Sequence, residues 1–349
     1  MKVKFISSPK IYGLLYSISS FMALVILLCG VVVSLVSSGV LGIWVGMEIN
    51  FLGAICFMSG VYVEESESVM KYFIIQVVGS CFMVLGLLML VFGEFVVLVE
   101  SFSMMGLAIK LGIFPFHFWV AGVLSSLSWF ACFVVSVVQK VAPLWLLSNF
   151  CLSGSVTNVM EVLGVLTCLV GCLGGIGMLN YRALLAYSSL VHLGFLIILC
   201  LVEVGLFWSY LFVYGLLNLF LMWSMWNLGI YGYSDLVKEG GVGYYTELLW
   251  VSFYFLSLAG IPPFSGIFLK VYFFNQVLKF CSFSVCFMPN KVGSENFFFL
   301  KVVMDMGVYW GKKTFLIFCW KSSNFSKIGF SKNMLKIVFG FPFFLIWGE

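Results

Sequence analysis

Charge is scarce in this sequence. It has 18 lysines and arginines and 14 aspartates and glutamates among 349 residues, 9% of the chain, where soluble domains carry about 25%. The hydrophobic share is 63%, against roughly 45–50% in a soluble domain. Burying that much apolar surface inside a water-soluble fold is not possible, so lipid must solvate most of the chain. Histidine is scarcer still, with two in the whole sequence, and the eleven cysteines form no CxxC pair and no Cys/His cluster of metal-ligand spacing. Cys29, Cys56, Cys81, Cys132 and Cys168 stand singly in apolar runs and read as small lipid-facing or packing hydrophobes. The short alternating segments of a membrane β-barrel are missing. So are a Walker loop, HExxH, GxSxG and a dinucleotide fingerprint. These gaps leave no metal site, bound cofactor or nucleic-acid partner to expect from the chain. Two histidines on different segments give no support for haem ligation. Ser188 and His192, four residues apart, share a helix face but have no third group to orient them as a nucleophile pair.

What the chain has instead is long apolar runs. The stretch 12–36 alone exceeds the roughly 20 residues that cross a bilayer core as a helix, and "MKVKFISSPK" before it reads as a basic flank of a retained span rather than a cleaved signal. Hydropathy gives about eleven spans, near 12–36, 39–62, 70–93, 101–121, 124–148, 158–178, 183–203, 207–230, 244–275, 296–311 and 334–347. The fold class is an all-α polytopic membrane protein. With the N-terminus on the positive-inside face, the short loops on that side hold Lys2, Lys4, Lys10, Lys71, Arg182, Lys238, Lys312, Lys313, Lys321, Lys327 and Lys332, and the opposite side only Lys279 and Lys291. The acidic "EESES" at 64–68 reads as part of an inside loop.

Four charges nevertheless fall well within spans: Glu48, Lys110, Lys140 and Lys270. Each costs about 2.5–3.5 kcal/mol at mid-bilayer, on the order of 10 kcal/mol together, unless they face one another or water. Lys270 lies close enough to a span end to snorkel. Glu48 is too short to do so, with apolar residues for about two turns on either side. A buried row of one acid and several bases suits proton transfer, because an opposite charge at about 4 Å is worth roughly 4 kcal/mol at an effective dielectric near 20. Bringing Glu48 toward a lysine, or withdrawing it, switches whether that lysine holds its proton. His117, seven residues after Lys110, lies on the same face if the helix is continuous. Both His117 and His192 read either as relays or as core histidines bonded to backbone carbonyls, and their span-internal polar settings favour relays.

Helix breakers accompany the charges. Gly112 and Pro115 interrupt the span of Lys110, Pro143 follows Lys140, and Pro262 and Pro263 interrupt the span of Lys270. Proline removes a backbone donor and frees a carbonyl, tolerated at membrane depth only where it is buried in protein or lines a cavity. The segments "KLGIFPF" and "GIPPFSGIFLK" lie about 150 residues apart, the size of a five-helix unit, and transporters made of inverted repeats place broken helices at matching positions in each half.

The segments "WVGMEINFLG", "MKYFIIQVVGS", "AIKLGIFPFHFWV", "SWFACFVVSVVQKVAPLWLL", "GGIGMLNYRALLAYSSLVHLGF" and "LSLAGIPPFSGIFLK" resemble, in order and spacing over about 40–275, the subunit 2 family of mitochondrial NADH:ubiquinone oxidoreductase (complex I). The resemblance implies an antiporter-like membrane-arm subunit of inverted five-helix repeats with two discontinuous helices. Repeats would fall at about 37–180 and 181–320, with a terminal helix at 334–347. It implies that Glu48 pairs with Lys110, that Lys140 is the central relay and Lys270 the outlet-side lysine, and that His117 and His192 occupy the family's histidine positions. It implies electron transport from NADH to ubiquinone coupled to proton translocation in the mitochondrial inner membrane, with the N-terminus in the matrix. NAD, FMN, iron–sulfur clusters and ubiquinone would then be held elsewhere in the complex, and the partners are other membrane-arm subunits, lipids and protons. A self-standing cation/proton antiporter of the same fold is the alternative.

Overall fold

The computed structural model describes residues 18–59, 63–93, 96–150, 154–237 and 242–261, with 264, 266–267, 270–271 and 273 beyond them. Among the described residues the chain is helical, with one isolated backbone bridge, between Asn180 and Gly232, and no strand. Seven helical spans among the described residues are long and apolar enough to cross a membrane, and Thr246–Ala259 is a shorter apolar helix. The expected spans 296–311 and 334–347, Pro262, Pro263 and most of the loop lysines lie outside the described residues. The chain falls into two compact units, Met1–Val156 and Thr157–Glu349.

In the first unit, α1 (Ile18–Val36) and α2 (Val40–Met58) are packed backbone to backbone. A Cβ on Gly46 would lie 2.5 Å from the Ser34 nitrogen, and one on Gly53 2.6 Å from that of Leu27. Small residues allow this approach in lipid, where burial of apolar surface gives no drive for helices to associate. The next pair, α3 (Val63–Val91) and α4 (Val96–Leu111), meets in the same way through Gly79, Gly86 and Gly106. Helix α3 begins at Val63, so "EESES" forms its first turns rather than a loop, with an exposed Glu67–Lys71 ion pair at 2.7 Å. The expected span 101–121 is instead delivered in two pieces, α4 and α5 (Phe118–Leu124). A last span, Trp129–Asn149, comprises α6 (Trp129–Phe133), a π-turn (Val134–Val138) and α7 (Gln139–Asn149).

The second unit contains α8 (Gly154–Gly175), α9 (Tyr181–Val202), α10 (Val204–Leu228) and α11 (Val242–Ala259). Glycines again set the spacing, since a Cβ on Gly194 of α9 would lie 2.5 Å from the Gly164 oxygen of α8. Asn180 caps α9, its side chain accepting from the Arg182 N–H at 3.1 Å.

Each unit has one enclosed span. Trp129–Asn149 is 72% buried and Tyr181–Val202 is 83% buried, whereas the other five are 22–39% buried. The two enclosed spans carry Lys140 and His192.

Candidate functional site

The site in the first unit is set up by the end of α4. Gly112 adopts φ +75°, a left-handed conformation that costs any residue with a Cβ about 1–2 kcal/mol. The Gly112 and Ile113 N–H groups both donate to the Ala108 oxygen, at 3.0 and 2.9 Å, closing a Schellman motif. The chain then passes through a cis Phe114–Pro115 bond before α5 begins. The turn leaves the Lys110 carbonyl without a helical donor, and Gln76 of α3 supplies one from Nε2 at 3.1 Å. The Lys110 side chain runs over Gly79, where a Cβ would lie 2.8 Å from its Cγ. Its ammonium meets Glu48 of α2, with Nζ 2.5 Å from Oε1. The lysine side chain is 3% exposed and the glutamate 24%. The lysine therefore depends on its partner, and the carboxylate keeps an outward-facing edge.

Lys140 lies buried in the enclosed span, one turn before Pro143. Pro143 does not end the helix. Helix α7 runs through it from Gln139 to Asn149, contrary to its reading as a break. The irregularity falls upstream, in the π-turn, where the Gln139 N–H donates to the Val134 oxygen. Gln139 Nε2 also donates to the backbone and side-chain oxygens of Asn50, both at 3.1 Å, which ties α7 to α2. Lys110 and Lys140 line the same cavity, along with Asn50, Tyr72, Gln76, Gln139 and Pro143. About 20 Å³ is open to the centres of water molecules, enough for one or two waters, each needing two to four polar partners. The amides, the phenol and the two lysine side chains provide those partners.

His117 is not among the residues that line this cavity. The helix does not continue past Leu111, so the shared face with Lys110 is lost. His117 instead takes the N-cap position of α5, with its ring 4.0 Å from that of Phe118 and stacked near Phe114.

In the second unit Gly260 ends α11 as Gly112 ends α4. Its φ is +71°, its N–H donates to Ser257 at 3.0 Å, and the Ile261 N–H reaches back to Leu256 at 3.4 Å. The two breaks share a cassette, Gly112-Ile113-Phe114-Pro115-Phe116 and Gly260-Ile261-Pro262-Pro263-Phe264. In each the phenylalanine N–H donates to the isoleucine oxygen, at 2.7 and 2.9 Å. The lysines differ. Lys270 follows its break and folds back, Nζ donating to the Ala259 oxygen at 2.7 Å, where the last turn of α11 presents its carbonyls and the negative end of its dipole. A Cβ on Gly260 would lie 2.8 Å from Lys270 Cδ. His192 of α9 is bonded through Nδ1 to the Tyr210 hydroxyl of α10, at 2.7 Å. Ser188 makes no pair with it, because its hydroxyl donates to the Leu185 oxygen at 2.9 Å.

Sequence reasoning missed the uncharged members of these sites: Asn50, Tyr72, Gln76, Gln139 and Tyr210. Their signal was present, as Gln76 and Gln139 are amides in the middle of apolar runs, but attention to ionisable groups passed over them. Among the described residues no three His, Cys, Asp or Glu side chains cluster to hold a metal ion.

Buried lysines beside glycine-terminated helix breaks, in a bundle of apolar spans, define an antiporter-type membrane subunit. The family model "NADH:quinone oxidoreductase/Mrp antiporter, TM" matches residues 93–290. NADH-ubiquinone oxidoreductase chain 2 of Anopheles gambiae is 32% identical over 258 residues, 71% of this chain and 74% of its own. The chain of the same name from Myxine glutinosa is 28% identical over 320 residues, 88% of this chain and 91% of its own. A chain of respiratory complex I from Thermus thermophilus shares the fold, with a TM-score of 0.71 at 18% identity over 82% of this chain and 70% of that one. The chain belongs to the NADH:quinone oxidoreductase/Mrp antiporter transmembrane family and, within it, to the NADH-ubiquinone oxidoreductase chain 2 proteins.

Proposed function

We propose that this chain is a proton-translocating membrane-arm subunit of NADH:ubiquinone oxidoreductase, in the mitochondrial inner membrane with its N-terminus in the matrix. Its two inverted repeats span about 37–180 and 181–320. The redox chemistry, with NAD, FMN, iron–sulfur clusters and ubiquinone, belongs to other subunits, so the chain contributes to the enzyme by moving protons. Its neighbours are other membrane-arm subunits and lipid.

The observation that carries this reading is the shared cavity of Lys110 and Lys140. While Glu48 holds the Lys110 ammonium, the proton stays. When Glu48 is drawn away or neutralised, a buried and unpaired ammonium becomes costly, and Lys110 releases its proton. One or two waters between the lysines are enough to carry it from Lys110 Nζ to a neutral Lys140 Nζ. In the second unit His192 and Lys270 serve as the further proton-holding groups, and His117, at the foot of the first break, positions that turn.

The test is Lys140→Met in the assembled complex, reconstituted in liposomes, with NADH oxidation and proton uptake measured together. Loss of translocation per electron is expected. Full assembly with an unchanged proton-to-electron ratio would refute the relay.

A further inference from the structure

We propose that Tyr210 is the positioning residue of His192, holding the imidazole in the tautomer whose Nε2 takes and releases the translocated proton. This inference rests on the relay reading above. His192 and Tyr210 are 1% and 2% exposed, and the 2.7 Å separation of Nδ1 and Oη is a short hydrogen bond. Four residues further along α10, Tyr214 lays its ring 4.5 Å from the imidazole, and Phe195 closes an edge at 6.3 Å. The ring is thus held on several sides, and Tyr210 fixes it at Nδ1.

The other small polar groups beside this stretch of α9 are directed to backbone carbonyls. Ser188 donates to Leu185 at 2.9 Å, Thr167 of α8 to Gly164 at 2.7 Å, and Cys168 of α8 to Val191 at 3.1 Å. Among the described residues, the phenols of Tyr210 and Tyr214 face the His192 ring, and the Cys168 thiol is on the carbonyl of the preceding residue, Val191.

A phenol can donate or accept, and the choice has consequences. If Tyr210 donated to Nδ1, the ring proton of the neutral imidazole would sit on Nε2. An incoming proton would then have to displace the tyrosine at Nδ1. If Tyr210 accepts from Nδ1–H, the bond survives in both charge states. The proton forms its N–H bond at Nε2 and later breaks that same bond, leaving the neutral ring as it began. Only the second arrangement lets a buried histidine cycle without repacking, and it assigns the acceptor role to Tyr210. An oriented ring nitrogen of this kind depends on the hydrogen bond made by the other one.

The experiment compares Tyr210→Phe, His192→Gln and the double variant in the assembled, reconstituted complex. A buried tyrosine of α11 changed by Tyr254→Phe provides the control. Translocation per electron is read across the neutral pH range and normalised to assembled complex. Tyr210→Phe should lose translocation as His192→Gln does, the double variant should be no worse than either, and the pH profile of any residual pumping should shift. Tyr254→Phe should leave ratio and profile unchanged. If Tyr210→Phe fails to assemble, Tyr210→Gln, whose side-chain oxygen can still accept from Nδ1, gives the same reading: pumping supports the assignment and loss overturns it. A normal ratio and profile in Tyr210→Phe beside a loss in His192→Gln overturns the inference alone. Normal pumping in His192→Gln overturns the relay at His192 and the inference with it.

Discussion

Gly260 is where the role of Lys270 can be separated from the stability of the fold. Gly229 and Gly260 both end helices with positive φ, +63° and +71°, so an alanine at either should cost about 1–2 kcal/mol in backbone strain. Around Gly229 nothing lies within 4 Å of an added Cβ, whereas at Gly260 it would meet Lys270 Cδ at 2.8 Å and Cε at 3.1 Å. The lysine stem has to shift, and the 2.7 Å bond from Nζ to the Ala259 oxygen is lost. A hydrogen bond with one charged partner is worth about 1.5–3 kcal/mol. Gly260→Ala should therefore cost roughly 2.5–5 kcal/mol in all, of which only the first 1–2 is shared with Gly229→Ala. Assembly on native gels reports the strain in both variants. Proton translocation per electron, measured on the assembled fraction, should fall only in Gly260→Ala. Equal loss in the two variants, or normal pumping by Gly260→Ala, would refute the claim that the seat of Lys270 at the helix end matters.

Two further outcomes concern the first unit and a third the whole chain. Glu48→Gln removes the charge that holds Lys110 and should uncouple NADH oxidation from proton movement, as an altered proton-to-electron ratio per assembled complex would show; a purely structural pair would lower assembly and leave that ratio intact. Gln139→Leu keeps the approximate volume but removes the donor to Asn50 and a polar wall of the cavity, so translocation should slow while the complex assembles, measured as the rate of pH change in the vesicle lumen during turnover. The chain purified alone and placed in liposomes should exchange no Na⁺ for H⁺ under an imposed gradient, and robust exchange would favour the antiporter reading instead.

The membrane class, seven of the expected spans and the three buried lysines were legible because lipid makes a severe demand. A charge or a proline inside an apolar run stands out against a uniform background. The sequence was less informative where a residue acts through geometry. Gly112 was legible as a break, but not as a Schellman turn whose freed Lys110 carbonyl needs Gln76. Pro143 was read as a break, yet α7 passes through it, because the π-turn at Val134–Val138 sits just upstream. "EESES" looked like a loop by polarity alone, and the helix absorbs it through an i,i+4 Glu67–Lys71 pair. His117 and Lys110 shared a face only for as long as the helix was imagined to continue.

The two breaks show why charge is placed as it is. Each uses the same glycine–isoleucine turn and phenylalanine closure, so the local backbone is built twice from one recipe, and the lysine supplies the difference. Lys110 precedes its turn and projects to a carboxylate on another helix, 2.5 Å away, so its hold on a proton answers to whatever moves Glu48 at its exposed edge. Lys270 follows its turn and folds back to donate to the carbonyl end of the helix before it. That partner is a fixed dipole and cannot be neutralised, so opening the break would loosen this hold. One lysine is thus suited to being switched by a neighbouring charge, the other by a movement of backbone.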